Sequence, residues 1–150
     1  MNQVAHPPPP FKIGEIFEKD MIFSKEETRA YSAFIGDQNP LHLDEDFAGK
    51  SRFGGLIAAG AHTAGAMAAF TATFTTQRAE KNVGLEISFR FRRAVMAGEK
   101  LHCVWKTSVI EDKPSLKGHI ITFEGVLTNS KGEAAVSGQA RTLVFYDQLV

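Results

Sequence analysis

The second half of the chain alternates between apolar and polar residues, which is the pattern of strands with one buried face. The alternation is clearest in LEISFRFRR, residues 85–93, which is predicted to be a strand. Its apolar face consists of Leu85, Ile87, Phe89 and Phe91. Residues 101–110, 118–128 and 133–146 are predicted as further strands, separated by the turn-forming segments EDKPS and NSKGE. Consecutive strands with short connections predict an antiparallel meander.

A helix is predicted before these strands, after a weakly alternating segment over residues 14–23 that suits a short strand. The S-x-x-E capping box that begins at Ser24 marks the start of the helix. Tyr31, Phe34 and Ile35 then fall on one face at helical spacing. Gly36 is a stop signal, so this helix is predicted to end near residue 36.

A second helix is predicted from Gly60 to Thr76. Met67, Phe70 and Phe74 share one face, and small residues fill most other positions. The segment is apolar nearly all round, which is typical of a helix that is buried on most sides. The predicted fold class is therefore α+β, with one long buried helix held against a curved antiparallel sheet.

The length of 150 residues predicts one domain over residues 11–150. It follows a flexible arm over residues 1–10, whose four consecutive prolines favour an extended chain. Seventeen basic and seventeen acidic side chains cancel, which argues against a nucleic-acid partner bound by broad electrostatics. The longest apolar region contains His62 and several Gly and Thr residues, so it is a poor membrane span.

A single cysteine, Cys103, excludes an intrachain disulfide and a cysteine-based zinc site. Its position in phase with Leu101 and Trp105 indicates a buried thiol rather than a nucleophile. The N-terminal residues lack a basic segment followed by an apolar stretch, so they do not read as a secretory signal. A cytoplasmic location is expected on these grounds.

The segment GDQNPLHLDED, residues 36–46, carries the candidate chemistry. Its spacing does not fit a calcium loop, and a metal site built from Asp37, His42 and Asp44 matches no known ligand motif. The alternative of an ordinary solvated loop is weakened by Asp37, which lies at a helix C-terminus where the dipole disfavours a carboxylate. Together with His42, five residues on and past Pro40, this favours a functional segment, with an acid–base centre as the main interpretation and a metal site as the minor alternative.

The same segment, followed by RFGGLIAAGAHTAG, resembles the MaoC-like hydratase/dehydratase family, which includes the R-specific enoyl-CoA hydratases. The family motif reads Gly-Asp-x-Asn-Pro-aliphatic-His, and residues 36–42 match every fixed position. The resemblance implies the hot dog fold, in which a sheet wraps one central helix. It also implies reversible addition of water to a trans-2-enoyl thioester, giving the (R)-3-hydroxyacyl thioester, with CoA or an acyl carrier as part of the substrate and no cofactor.

By motif position, the resemblance implies that Asp37 and His42 are the catalytic acid and base, and that the amide of Gly60 is an oxyanion donor. Asn39 is expected to hold the loop and to contact the water. Ala61, His62 and Ala64, at the start of the central helix, are the expected substrate-binding residues, although His62 is more often a packing residue.

Alternative functions are a thioesterase of the same fold and a non-catalytic acyl-binding module. The absence of Asp and Glu from residues 60–76 disfavours the thioesterase. Arg90, Arg92 and Arg93 are interpreted as a solvated strand face, with contact to a CoA phosphate as the alternative. A homodimer, or a higher homo-oligomer, is expected because a sheet around one helix leaves an apolar edge.

Overall fold

In the computed structural model, which describes residues 6–147, one five-stranded antiparallel sheet curves around a long helix. The strands are β1 (Ile16–Met21), β2 (Asn82–Phe91), β3 (Leu101–Lys113), β4 (Gly118–Thr128) and β5 (Ala134–Phe145). The α-helices are α1 (Lys25–Ile35), α2 (Pro40–Leu43), α3 (Glu45–Lys50) and α4 (Gly60–Arg78), and a 3-10 turn covers Pro114–Leu116. The predicted α+β class is confirmed.

The strand order is β1-β3-β4-β5-β2, so the predicted meander holds only for β3, β4 and β5. The turn after β2 contains Gly98 in the left-handed region, as expected of a turn residue, but β2 pairs with β5 and not with β3. The expectation that β2 joins the meander was wrong, because a short connection can also carry the chain across the end of a curved sheet, here from the edge strand β2 to β3, which lies next to the opposite edge. Strands β1 and β2 are therefore the two edges.

Helix α1 begins and ends at the predicted residues. Ser24 and Glu27 form the capping box, and Gly36 adopts a left-handed φ of 79° that ends the helix. The predicted apolar face of α1 was only partly correct, since Phe34 is 90% exposed. The buried positions are Thr28 and Ser32, and α1 contacts α4 through Tyr31, whose hydroxyl donates to the carbonyl of Ala61.

Helix α4 packs its middle against the sheet. Met67 is fully buried, and Phe17 of β1 stacks on Phe74 with ring centroids 3.6 Å apart. Three threonines are buried, and each hydroxyl donates a hydrogen bond to the backbone carbonyl one turn earlier: Thr63, Thr71 and Thr75. In this single chain the helix is not buried on most sides as expected, because its remaining positions carry small residues that leave Ala61, Ala69 and Ala72 exposed.

The centre of the core is aromatic. Trp105 and Phe123 are fully buried, and Cys103 beside them is buried too, which raises the pKa of its thiol to about 12. This burial supports the interpretation of Cys103 as an unreactive thiol. At the N-terminus His6 and Pro7 contact the domain through Asp112 and His119, whereas residues 1–5 of the expected loose arm lie outside the described residues.

Gly125 provides a test of the packing, because a Cβ atom at this position would lie 2.5 Å from the ring of Trp105. We expect Gly125→Ala to lower the free energy of unfolding by about 1–3 kcal/mol, since the buried indole has little room to move. Gly49→Ala in α3 is the control, because its Cβ meets nothing within 4 Å. The control should be neutral or stabilising by up to about 1 kcal/mol. Urea denaturation measures both, and equal stabilities would contradict the packing described.

Candidate active site

The turn after α1 brings together the two residues that were predicted to form an acid–base pair. Gly36 lets the chain reverse, and the amide of Asp37 donates to the Ser32 carbonyl at 2.9 Å. Oδ1 of Asp37 accepts from the amide of Asn39 at 3.0 Å, which leaves Oδ2 free to face His42. Oδ2 lies 3.7 Å from Nε2 of His42. The structure thus brings together the two residues that the sequence motif paired.

Helix α2 was missed in the sequence, and it orients His42. Asn39 caps it by accepting from the amide of Leu41 at 3.0 Å, and Pro40 occupies its first turn. An Asn followed by Pro is the signal that could have identified this short helix. The expected loop-holding role of Asn39 is therefore visible in its hydrogen bonds.

His42 is fixed at its other nitrogen. Nδ1 lies 2.8 Å from the carbonyl oxygen of Ile57, which can only accept, so Nδ1 carries the proton. In the neutral ring Nε2 is then the basic nitrogen, and it is the one that faces Asp37. The side chain is buried, with 7% of the residue exposed. Sequence reasoning did not identify Ile57, because a backbone acceptor leaves no signal in residue type.

The other carboxylates of the segment have separate partners. Asp44 caps α3 by accepting from the amide of Phe47 at 3.0 Å. Glu45 pairs with Lys25 at 2.6 Å and with Arg29 at 3.1 Å, and these hydrogen bonds lower the pKa of its carboxyl. The pairs join α3 to α1 across the loop. Of the four carboxylates, Asp37 alone is directed at the histidine.

The N-terminus of α4 faces the same space as His42. His42 and Gly60 both line a cavity of about 420 Å³, together with Phe53, Phe91 and Thr63 among others. Ala59 is the N-cap residue of α4, and within the described residues no side chain forms a capping hydrogen bond there. The first amides of α4 therefore remain as hydrogen-bond donors at the positive end of the helix dipole.

Phe91 of β2 crosses over Gly60. A Cβ atom on Gly60 would lie 3.2 Å from Cζ of Phe91, so the glycine lets the ring lie close to the start of the helix. The ring itself is 55% exposed. Phe91 was assigned to the apolar strand face, and its position at the cavity became visible only once β2 was placed on the edge of the sheet.

His62 lies in a different place. It lines a larger cavity of about 870 Å³ between β1, α1 and α4, and it is not among the residues that line the cavity of His42. Its ring stacks on Tyr31 with centroids 4.4 Å apart, and its buried Nδ1 has no partner within residues 6–147. Burial lowers the pKa of His62, and the nearby Glu27 opposes this shift.

Ala61 and Ala64 also do not line the cavity of His42. Ala61 is exposed, and its carbonyl accepts from the hydroxyl of Tyr31 at 3.2 Å. Ala64 is half-buried. The four positions expected to bind substrate therefore separate: Asn39 holds the loop that carries Asp37 and His42, whereas Ala61, His62 and Ala64 face other surroundings. Periodicity could not show this, because nearly all positions at the start of α4 are small.

Comparison with known proteins agrees with this fold. Residues 12–123 match the family described as MaoC like domain. The (R)-hydratase from A. caviae involved in PHA biosynthesis superposes with a TM-score of 0.74 at 25% identity, over 89% of this chain and 97% of that one. The MaoC-like dehydratase from Rhodospirillum rubrum gives a TM-score of 0.73 at 26% identity, over 90% and 93% of the two chains.

A curated relative, the 3-hydroxybutyryl-CoA dehydratase of Methylorubrum extorquens, is 39% identical over 59 residues. That match spans 39% of this chain and 36% of the relative. The sheet around α4 is the hot dog fold, as the resemblance implied. The chain belongs to the MaoC-like domain family.

Within residues 6–147 no group of three or more His, Cys, Asp or Glu residues is arranged to hold a metal ion. None of the described helices combines the length and the apolar character needed to cross a membrane.

The pKa of His62 predicts how stability depends on pH. Below the ordinary value of about 6.5 the unfolded chain binds a proton here that the folded chain does not. The contribution of His62 to the free energy of unfolding is therefore fully present above that pH, and it is lost as the pH falls through the lowered pKa of the folded state. We expect His62→Phe to lose less stability than the wild type between pH 7 and pH 5, measured by thermal melts.

His102 is the opposing control for this experiment. It is half-buried, and the hydrogen bonds that its ring donates to the carboxylates of Asp20 and Glu18 raise its pKa. Its contribution is therefore present at acid pH and is lost as the pH rises, so His102→Gln should lose more stability than the wild type between pH 7 and pH 5. Parallel slopes for the wild type and His62→Phe would contradict the assignment of His62 as a buried neutral ring.

Proposed function

We propose that this protein is an acyl-thioester hydratase/dehydratase that adds water reversibly to a trans-2-enoyl thioester and gives the (R)-3-hydroxyacyl form. The observation that carries the proposal is the 3.7 Å approach of Asp37 Oδ2 to the basic nitrogen of His42, beside a cavity that His42 shares with the start of α4. The hydratase and dehydratase names of the relatives support it.

The pair is suited to activating water. A separation of 3.7 Å exceeds a direct hydrogen bond but can be bridged by a water molecule that both groups contact. As the water oxygen forms a bond to C3 of the enoyl group, its proton passes to the pair. A proton from the pair then adds at C2, so the two groups together exchange one proton for another. Carboxylate and imidazole are both suited to this general acid–base work.

The start of α4 is suited to the thioester oxygen. Attack at C3 moves an electron pair through the former double bond onto that oxygen, and the resulting enolate needs hydrogen-bond donors. The uncapped amides at Gly60 supply them, reinforced by the helix dipole. Because Gly60 has no side chain, the oxygen can come close to the backbone. The residues act without a cofactor in this scheme.

The acid–base assignment is tested by Asp37→Asn and His42→Gln, which preserve shape and remove the titrating group. Each should lower the turnover of crotonyl-CoA by about 10²–10⁴-fold. The double variant should be little slower than either single one, because the two groups act on the same water. The measurement is the loss of enoyl absorbance, with a thermal melt for each variant.

Asp46→Asn is the matched control, since Asp46 is an exposed carboxylate of the same segment and should be nearly silent. Retention of most activity by Asp37→Asn would refute the assignment. Release of free thiol from crotonyl-CoA by the wild type would instead indicate a thioesterase. Binding of the thioester without turnover would indicate an acyl-binding module.

We also propose that the protein works as a homodimer through the edge strand β2. This edge presents apolar side chains to solvent: Val83, Leu85, Ile87 and Phe91 are each 45–55% exposed. An edge of this kind, with unpaired backbone groups and apolar side chains, is a site for pairing with another strand. Phe91 extends the edge to the catalytic cavity.

Ile87→Lys should convert the dimer to a monomer, because closing the edge would bury an unpaired ammonium group. Ile13→Lys is the control, since Ile13 is 67% exposed and lies outside the strands. Sedimentation velocity over a range of concentrations measures both. An active monomeric wild type would show that the edge is not an obligate interface.

A further inference from the structure

The catalytic cavity has an asymmetric charge at its mouth. Its charged lining residues are Arg92 and Arg93, which follow the end of β2, and within residues 6–147 no Asp or Glu joins them in lining it. Both amides donate to the carbonyl of Ala135, at 2.8 Å and 3.1 Å, so the backbone of this pair is held against β5. The backbone of two adjacent cationic residues is thus fixed at the cavity that His42 and Gly60 also line.

The two arginines differ in what they can offer a ligand. Arg93 forms an ion pair with Glu133, with 3.1 Å between the guanidinium nitrogen and the carboxylate oxygen. Arg92 is exposed and makes no ion pair with any residue in the described part of the chain. Its guanidinium therefore stays available for an anionic group, which a planar fork of donors binds well.

The position at the mouth limits which anion is reached. The reacting thioester must lie at His42 and Gly60, and the pantetheine arm then carries the rest of the substrate out of the cavity. The phosphate at the far end of that arm remains outside, where an exposed side chain can meet it. Coenzyme A and the prosthetic group of an acyl carrier protein both have a phosphate there.

We propose that Arg92 binds the phosphate at the end of the pantetheine arm and so selects carrier-bound thioesters over short ones. The inference rests on the proposed function for the location of the thioester. It identifies the terminal phosphate as a part of the substrate that is recognised in addition to the acyl group. Arg92 touches the substrate at a distance from the reacting atoms, so it affects binding rather than the chemical step.

Arg92→Gln should raise KM for crotonyl-CoA about five- to tenfold, with kcat little changed, as expected for one partly exposed charge pair. KM for crotonyl-pantetheine, which has no phosphate, should not change. The wild-type KM for crotonyl-CoA should rise with salt more steeply than that of the variant. The KM of Arg92→Lys for crotonyl-CoA should lie between those of the wild type and Arg92→Gln, since lysine keeps the charge but not the planar fork of donors.

Arg90→Gln is the matched control. Arg90 lies two residues earlier, inside β2, is exposed, and lines a separate cavity with Phe89 and Glu124. Its replacement should leave both KM values unchanged. A crotonyl-loaded acyl carrier protein forms a third arm: a loss confined to crotonyl-CoA assigns the CoA phosphates, and a loss confined to the carrier protein assigns its phosphodiester.

Calorimetry with free CoA and free pantetheine separates this inference from the proposed function. The wild type should bind CoA more tightly than pantetheine, and Arg92→Gln should remove that difference. This result together with no hydration of crotonyl-CoA would overturn the proposed function and leave the phosphate site standing. Equal losses on CoA and pantetheine substrates, or no loss in either the kinetics or the calorimetry, would overturn the phosphate site.

Discussion

The geometry of the site depends on one hydrogen bond, from Nδ1 of His42 to the carbonyl of Ile57. It decides which nitrogen is basic, and it holds the ring in place because Ile57 is itself fixed. The amide of Ile57 donates to the carbonyl of Leu41, and its bridge to Met96 ties it to the turn after β2. A buried imidazole without such an acceptor would be free to rotate, and the pairing with Asp37 would be lost.

The surrounding packing keeps the segment that carries Asp37 and His42 near the start of α4. A Cβ atom on Gly65 would lie 2.9 Å from the hydroxyl oxygen of Tyr31, so the absence of a side chain allows α1 to approach α4 closely. The pairs from Lys25 and Arg29 to Glu45 hold the other end of the segment. Close packing on one side and charge pairing on the other leave the loop little freedom, which is what a preorganised acid–base site requires.

Local signals in the sequence were reliable where the interaction is local. The capping box at Ser24, the left-handed stop at Gly36 and the strand over residues 118–128 all involve neighbours within a few residues, and all were correctly predicted. The Asp37 and His42 pair was found for a related reason, since a short stiff path joins them. Motif resemblance supplied the reaction, which periodicity alone does not contain.

Features that depend on distant contacts were missed. The partner of β2 lies more than forty residues away in the chain, and nothing in the pattern of LEISFRFRR distinguishes a central strand from an edge. His62 was placed with the substrate because it is near Gly60 in sequence. Two residues along a helix correspond to about half a turn, so His62 instead points toward Tyr31 and Phe23. Phe34 has the spacing of a core residue, but no other described element covers it.

The place of Phe91 has a consequence for how assembly and binding influence each other. Its ring belongs to the exposed edge of the sheet and also lies against Gly60, where the thioester oxygen would be held. A partner strand that covered the edge would restrict this ring and would therefore change the free energy of ligand binding at the cavity. Since such coupling is reciprocal, a bound thioester would change the dissociation constant of the two subunits by the same factor. The affinity for the thioester and the affinity between the subunits would then be thermodynamically linked.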